Sequence, residues 1–212
     1  MKLRTADPPD AMNPARPIAT LFDRHAGTLA VLCCLAAIFA FAAAHAPFSH
    51  LQHPVALLGT RGVPGALAFN LFGFVLPGLL AALVAVRLRA RLPEGAGRMA
   101  AIGTWMLVIS ALAFVAQGLF PLDPSDLDNA RSQWHATAWL LWWLSFVPGA
   151  LCLGLGVRRL PGWRGWGGFF IAAAALAVIL NVLPTAWLPG PLAQRLLLAL
   201  WLLCVWLESR RR

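Results

Sequence analysis

MAAIGTWMLVISALAFVAQGLF, residues Met99–Phe120, contains no charged side chain. Coiled as an α-helix it is about 33 Å long, which matches the hydrocarbon thickness of a bilayer. Five other stretches read the same way, at 27–46, 66–86, 136–157, 166–184 and 188–207. The fold they specify is all-α: a polytopic membrane protein whose six transmembrane helices form one bundle. The whole chain agrees. Apolar residues make up 60% and charged residues 12%, and mean hydropathy is +0.73. A soluble domain carries about 25% charge. An ordinary soluble enzyme, a disordered chain and a coiled coil are therefore excluded.

The formal net charge is +9. On a soluble domain that would suggest nucleic acid. Here the basic residues lie between hydrophobic spans, where they set orientation, so no nucleic-acid partner is expected. Lys2, Arg4, Arg16 and Arg24 precede the first span. Arg87, Arg89, Arg91 and Arg98 follow the second, Arg158, Arg159 and Arg164 follow the fourth, and Arg210, Arg211 and Arg212 end the chain. Only Arg61, Arg131 and Arg195 of the 17 basic residues fall on the other side. This asymmetry predicts that both termini are cytoplasmic. Residues 1–25, rich in Pro and Ala, read as a mobile cytoplasmic tail, 26–209 as the membrane domain and 210–212 as a basic cytoplasmic end. The first span is too long and too rich in large residues for a signal peptide.

Trp163 and Trp166 near one boundary, and Trp134, Trp139 and Trp187 near the other, suggest aromatic belts. The four cysteines, Cys33, Cys34, Cys152 and Cys204, all lie in spans, so no disulfide framework is readable. With Lys2 the only lysine, a retinal Schiff base is excluded. Abundant Ala, Arg, Gly and Leu point to a high-GC bacterial source, hence an inner membrane.

Two spans share a layout. Phe74-Val75-Leu76-Pro77-Gly78 leads to Arg87, and Phe146-Val147-Pro148-Gly149 leads to Arg158. This suggests two helical hairpins in one orientation, although Pro-Gly is also common in membrane helices. Pro77 and Pro148 fall near mid-bilayer, and each removes a backbone donor. The freed carbonyls must be satisfied by neighbouring groups.

Polar side chains inside the spans collect at one end. His45 ends the first span, Asn70 begins the second and Gln117 ends the third. His135 and Thr137 open the fourth, Asn181 ends the fifth and Arg195 opens the sixth. All lie toward the arginine-poor face, and the other half offers little beyond Thr104 and the terminal charges. The loops on the arginine-poor face are longer and hold His50, His53, Asp123, Asp126 and Asp128. Intramembrane polar groups are costly and long ionisable loops commonly carry function. The expectation is an outward-facing polar cavity.

The pattern Phe48-Ser49-His50 followed by Val55-Ala56-Leu57-Leu58-Gly59 resembles the first external loop of the domain-of-unknown-function 998 family. Gly118-Leu119-Phe120-Pro121-Leu122-Asp123, with His135 twelve residues later, resembles that family's Gly-x-Phe-Pro-x-Asp…His signature. Asn70 and Gly73 match its second span. The likeness covers roughly 45–160. It implies a six-helix integral membrane protein, mainly prokaryotic, and no assigned reaction. Where the family's loop has Ser and Glu, this chain has Ala56 and Leu57. A weaker likeness exists to six-helix lipid-associated proteins of the stress-induced autophagy-modulator type, by analogy alone.

Asp123 and His135 are the candidate catalytic pair, since Asp beside His orients a general base. The alternative is that Asp123 closes a turn and His135 caps a helix. Asn70, Gln117, Arg195 and His50 are the candidate ligand-binding residues. A guanidinium at 195 suits a phosphate or carboxylate headgroup, or else snorkels to the interface. No metal motif is present, neither His-Glu-x-x-His nor a Cys pair with ligand spacing, and no cofactor is assignable. No Gly-x-Ser-x-Gly elbow supports a serine hydrolase. The leading expectation is a site that binds or processes a lipid-like or amphipathic small molecule in contact with membrane lipids. The alternatives are a transporter or channel subunit, disfavoured by the scarcity of polar groups in the other half, and a structural membrane partner.

Overall fold

Proline, glycine and asparagine set the ends of these helices. A computed structural model describes residues 15–46 and 48–211, with side chains from His25 onward. The helices are α1 Ala15–Ala44, α2 Ala66–Phe69, α3 Leu76–Ala90, α4 Gly97–Leu119, α5 Ala130–Val157, α6 Arg164–Val182 and α7 Gly190–Arg210. A 3-10 turn, Val55–Gly59, sits in the first long loop, and a π-helix, Asn70–Val75, joins α2 to α3. Asn129 caps α5 by accepting from the Ser132 amide at 2.9 Å. Pro191 lies in the first turn of α7, where its missing N–H is harmless. With α2, the π-helix and α3 counted as one crossing, six apolar helices are long enough to span a membrane. This is the all-α, six-span architecture read from the sequence. α1 starts at Ala15, so the last part of the expected tail is helical. The rest of that tail, residues 1–14, lies outside the described residues, as do Pro47 and Arg212.

Each span packs on the next, and α1 closes the bundle against α7 while α3 touches both. Large apolar side chains such as Leu32, Phe39, Ile102, Trp105 and Leu112 are exposed around the outside. In water such a belt would be a liability; against lipid it is the ordinary surface.

α4 and α5 pack antiparallel in rungs one heptad apart. The Gln117 carbonyl meets His135 Nδ1 at 3.1 Å, and Ser110 Oγ donates to the Trp142 carbonyl at 2.8 Å. At the third rung two glycines face each other: a Cβ built on Gly103 would lie 2.7 Å from the Gly149 carbonyl. Small residues there let the two backbones touch. Along the bundle axis the rings of His135, Phe74, Phe114 and Trp201 follow one another with centroids 6.4, 5.1 and 4.7 Å apart.

The π-helix has an identifiable cause. Pro77 has no N–H, so the Gly73 carbonyl four residues earlier loses its helical donor. Widening to i→i+5 bonding, seen in Leu76 N–H to the Leu71 carbonyl, redistributes the deficit. Two thiols from α1 complete it: Cys33 Sγ donates to the Phe72 carbonyl at 3.2 Å and Cys34 Sγ to the Gly73 carbonyl at 3.3 Å. Pro148, by contrast, sits inside an unbroken α5. The two halves of the suggested repeat thus differ in local structure.

At the arginine-rich end Arg211 ties down the end of α7. Its Nη2 donates to the Gly162 carbonyl at 2.6 Å and its guanidinium lies 4.0 Å from the Trp163 ring centroid. Trp163 is buried under that contact, so it packs beneath an arginine rather than standing in a lipid belt.

Candidate functional site

The arginine-poor end holds the predicted polar residues in two clusters, joined by the 3-10 turn. In the first, Asn70 Nδ2 donates to the Gly59 carbonyl at 2.8 Å. This bond fastens the turn to the start of the π-helix. A side chain at Gly59 would collide with Asn70, so glycine is required for the close approach. Gln117 and His135 lie beside it, both buried, with His135 edge-on to Phe74.

His135 Nδ1 lies 3.1 Å from the Gln117 carbonyl and 3.0 Å from the Phe120 carbonyl. Both partners accept only, so Nδ1 carries the proton and Nε2 the lone pair. The arrangement answers a specific deficit. In α4 the Gln117 carbonyl would normally take its hydrogen bond from residue 121, which is proline and has no N–H. His135, on α5 beyond the acidic loop, supplies the donor that Pro121 removes. The Gly-x-Phe-Pro-x-Asp…His pattern is, in part, a helix terminus with its replacement cap.

Asp123 lies in the loop between them. Its carboxylate accepts from the Ser125 amide at 3.0 Å and from Ser125 Oγ at 2.6 Å. Those bonds hold its carboxyl below the usual range, first through the Ser125 hydroxyl and then through the Ser125 amide. Among the described residues no hydrogen bond joins Asp123 to His135. What links their segments is Ser132 Oγ, which accepts from the Asp123 amide at 3.1 Å and donates to the Asp126 carbonyl at 3.0 Å. Asp126 closes the next turn by accepting from the Asp128 and Asn129 amides. The acidic loop is knitted by its own carboxylates.

The second cluster surrounds Phe48. Its ring meets His50 at 5.4 Å and His53 at 5.6 Å, and the Arg195 guanidinium lies 5.8 Å from its centroid. His53 Nδ1 accepts from the Ser49 amide at 3.0 Å, and His50 also packs on Phe39. Arg195 Nη1 donates to the Pro191 carbonyl at 2.9 Å. Its Nε and Nη2 are buried with no hydrogen-bond partner. Gln194, next to Arg195, accepts from the Val55 amide at 3.3 Å and so anchors the start of the 3-10 turn.

A recess of about 170 Å³ opens at this end, lined by Trp139, Asn181, Thr185, Leu188 and Gln194 among others. None of Asn70, Gln117, Asp123, His135 and Arg195 lines it. Asn70, Gln117 and His135 come together in the first cluster, Arg195 and His50 in the second, and Asp123 stays in its turn. Gln117 Nε2 and Trp142 Nε1 are buried and unpartnered in the core. No group of three or more His, Cys, Asp or Glu side chains gathers among the described residues.

Four contributing residues escape a first reading of the sequence. Gln194 is the anchor of the first loop. Cys33 and Cys34 are donors to the π-helix, although as isolated letters they read as small apolar residues. Glu208 is buried, not a terminal surface charge. Its signal was available: Trp201, Cys204, Val205 and Glu208 follow the i, i+3, i+4, i+7 spacing of one helical face.

The model of a family described as Protein of unknown function (DUF998) matches residues 28–208, most of the chain. No curated protein and no solved structure matches.

Proposed function

We propose, from the premise that this chain belongs to the DUF998 family, that it binds an amphipathic or lipid-like molecule with an anionic head at the arginine-poor end. The arginine-rich end then faces the cytoplasm of a bacterial inner membrane, by the positive-inside rule. Arg195 carries the reading. A guanidinium has five N–H donors in a fixed fork. Only the Nη1 edge is used within the protein, while Nε and Nη2 are buried and unpartnered. Nε and Nη2 are the donor pair that suits a phosphate or carboxylate in bidentate fashion, reached once the side chain covering them moves aside. Arg195 also sits in the second turn of α7, near the positive end of the helix dipole, where an anion is favoured and a bare cation is not. The Phe48 ring and the neighbouring recess offer apolar surface for the rest of the ligand.

If the ligand is processed as well as bound, His135 Nε2 is the base, being the ring atom left free once Nδ1 is committed. Asp123, Asn70, Gln117 and His50 are assigned the surrounding polar contacts. The test is mass spectrometry of amphiphiles that co-purify with gently extracted protein. We expect one anionic species enriched over bulk lipid with the unmodified chain, reduced in Arg195→Lys and lost in Arg195→Ala. Identical profiles for all three overturn the reading. A transporter is the second reading, and Glu208 favours it by placing an ionisable group in the other half of the bundle. Its test is flux of the co-purified species in proteoliposomes.

A further inference from the structure

Glu208 lies near the end of α7 and is only 4% exposed. It is the only buried acid among the described residues. Its neighbours in sequence do not neutralise it. Ser209 Oγ donates to the Trp206 carbonyl, Arg210 lies over the Trp206 ring, and Arg211 lies over Trp163. Among the described residues no hydrogen bond or ion pair reaches the Glu208 carboxyl. It could have escaped to the headgroups had α7 been turned by one residue. The heptad step from Trp201 places it on the core face instead.

The side chain lines a cavity of about 10 Å³ enclosed by α3, α4, α5 and α7. That is room for one water molecule and no more. α3 and α4 contribute only alanine and leucine to the wall, and α5 contributes Phe146. The only other titratable group on the wall is the Cys204 thiol, one turn earlier on α7; α1 and α6 contribute nothing. Trp201 closes the side toward the arginine-poor end and begins the ring column through Phe114 and Phe74 to His135. A column of aromatic rings therefore stands between the cavity and the first polar cluster. Glu208 itself lies two residues before the end of α7, toward the arginine-rich end.

We propose that Glu208 and this cavity form a proton-binding site that exchanges with the aqueous phase at the arginine-rich end. Uptake adds one proton to a carboxylate oxygen and release returns it to water; no other bond changes. A single water in the cavity serves both states. It accepts from the carboxylic O–H when the proton is on, and donates to the carboxylate when it is off. A metal ion is not the ligand, because one carboxylate, one thiol and apolar walls supply too few oxygen donors. The inference stands apart from the anion site, whose residues it does not use.

The test uses the full chain in proteoliposomes and N,N′-dicyclohexylcarbodiimide, an apolar reagent that reacts with protonated carboxyls within membranes. We expect an adduct that peptide mass spectrometry maps to Glu208. Above the titration midpoint its yield falls about tenfold per pH unit. A charged, water-soluble carbodiimide should modify Glu94, Asp126 and Asp128 and spare Glu208. Glu208→Gln should carry no such adduct and should lose a pH-dependent carboxylic C=O infrared band that the unmodified chain shows. Labelling and infrared spectra of the unmodified chain keep the test independent of how well the variant folds. No Glu208 adduct at any pH, or a yield indifferent to pH, overturns the proposal.

Discussion

Replacing His135 by phenylalanine keeps a flat ring edge-on to Phe74 and removes the one N–H that reaches the Gln117 and Phe120 carbonyls. The Gln117 carbonyl then has no donor, because the backbone amide that would serve it belongs to Pro121. Leaving a buried acceptor unpaired costs about 1–3 kcal/mol. The Phe120 carbonyl belongs to an exposed residue and regains water, so it adds little. His135→Ala also loses the ring contact, worth about 0.5–1.5 kcal/mol, and is expected to cost about 2–4 kcal/mol in all. The decisive comparison is with Pro121→Ala, which restores a backbone N–H at the position His135 replaces. In that background His135→Phe should cost about 1 kcal/mol less than in the native one. Asp123→Asn, by contrast, should be additive with His135→Phe to within about 0.5 kcal/mol, since the two side chains bond different partners. The assay is reversible unfolding in mixed micelles, followed by the fluorescence of the 10 tryptophans. An equal cost of His135→Phe in both backgrounds would refute the cap argument. Strong coupling to Asp123 would restore the pair as one unit.

Three further outcomes follow from the same contacts. Pro77→Ala returns an N–H to the Gly73 carbonyl, so Cys34→Ala, expected to destabilise by about 0.5–1 kcal/mol on its own, should become nearly neutral in the Pro77→Ala background; a two-by-two unfolding cycle measures this. Gly103→Ala forces apart backbones that now touch and should destabilise by about 1–3 kcal/mol, whereas Gly168→Ala, with open space around its Cβ, should be neutral or stabilise α6 by up to about 1 kcal/mol; melting temperatures of the two variants decide. Asp123 has a lowered folded-state pKa, so its contribution is fully present above the unfolded value of about 3.9 and is lost as pH falls through the folded value. Acid titration of Asp123→Asn should therefore show a shallower acid limb than the unmodified chain, and an unchanged limb would count against the Ser125 bonds.

The spans were legible because about twenty consecutive apolar residues have few alternatives to crossing a bilayer. The concentration of polar side chains at the arginine-poor end was legible too, for Asn70, Gln117, His135 and Arg195 all sit at helix ends there. Their grouping was not. Asp123 and His135 share a short signature, yet one bonds Ser125 and the other caps α4. Arg195 is drawn to Phe48, about two thirds of the chain length earlier. Glu208 was hidden by its place beside Arg210 and Arg211, which made a surface charge the obvious reading. The π-helix had half its cause in view, at Pro77, and half out of view, since Cys33 and Cys34 reach it from another helix.

By itself the amino-acid order determined which segments enter the membrane, which ends carry the arginines, and which backbone carbonyls prolines leave without donors. Those are additive, local properties: hydropathy sums along a window, and a missing N–H stays missing whatever surrounds it. Tertiary structure decided who answers each deficit. It gave His135 to Pro121 and the Cys33–Cys34 thiols to Pro77, left two buried Arg195 donors without a partner, and turned Glu208 inward over a one-water cavity. A hydrogen bond is made or lost within a few tenths of an ångström and some tens of degrees. The rotation of each helix about its axis controls both, and only packing against the neighbouring helices sets that rotation.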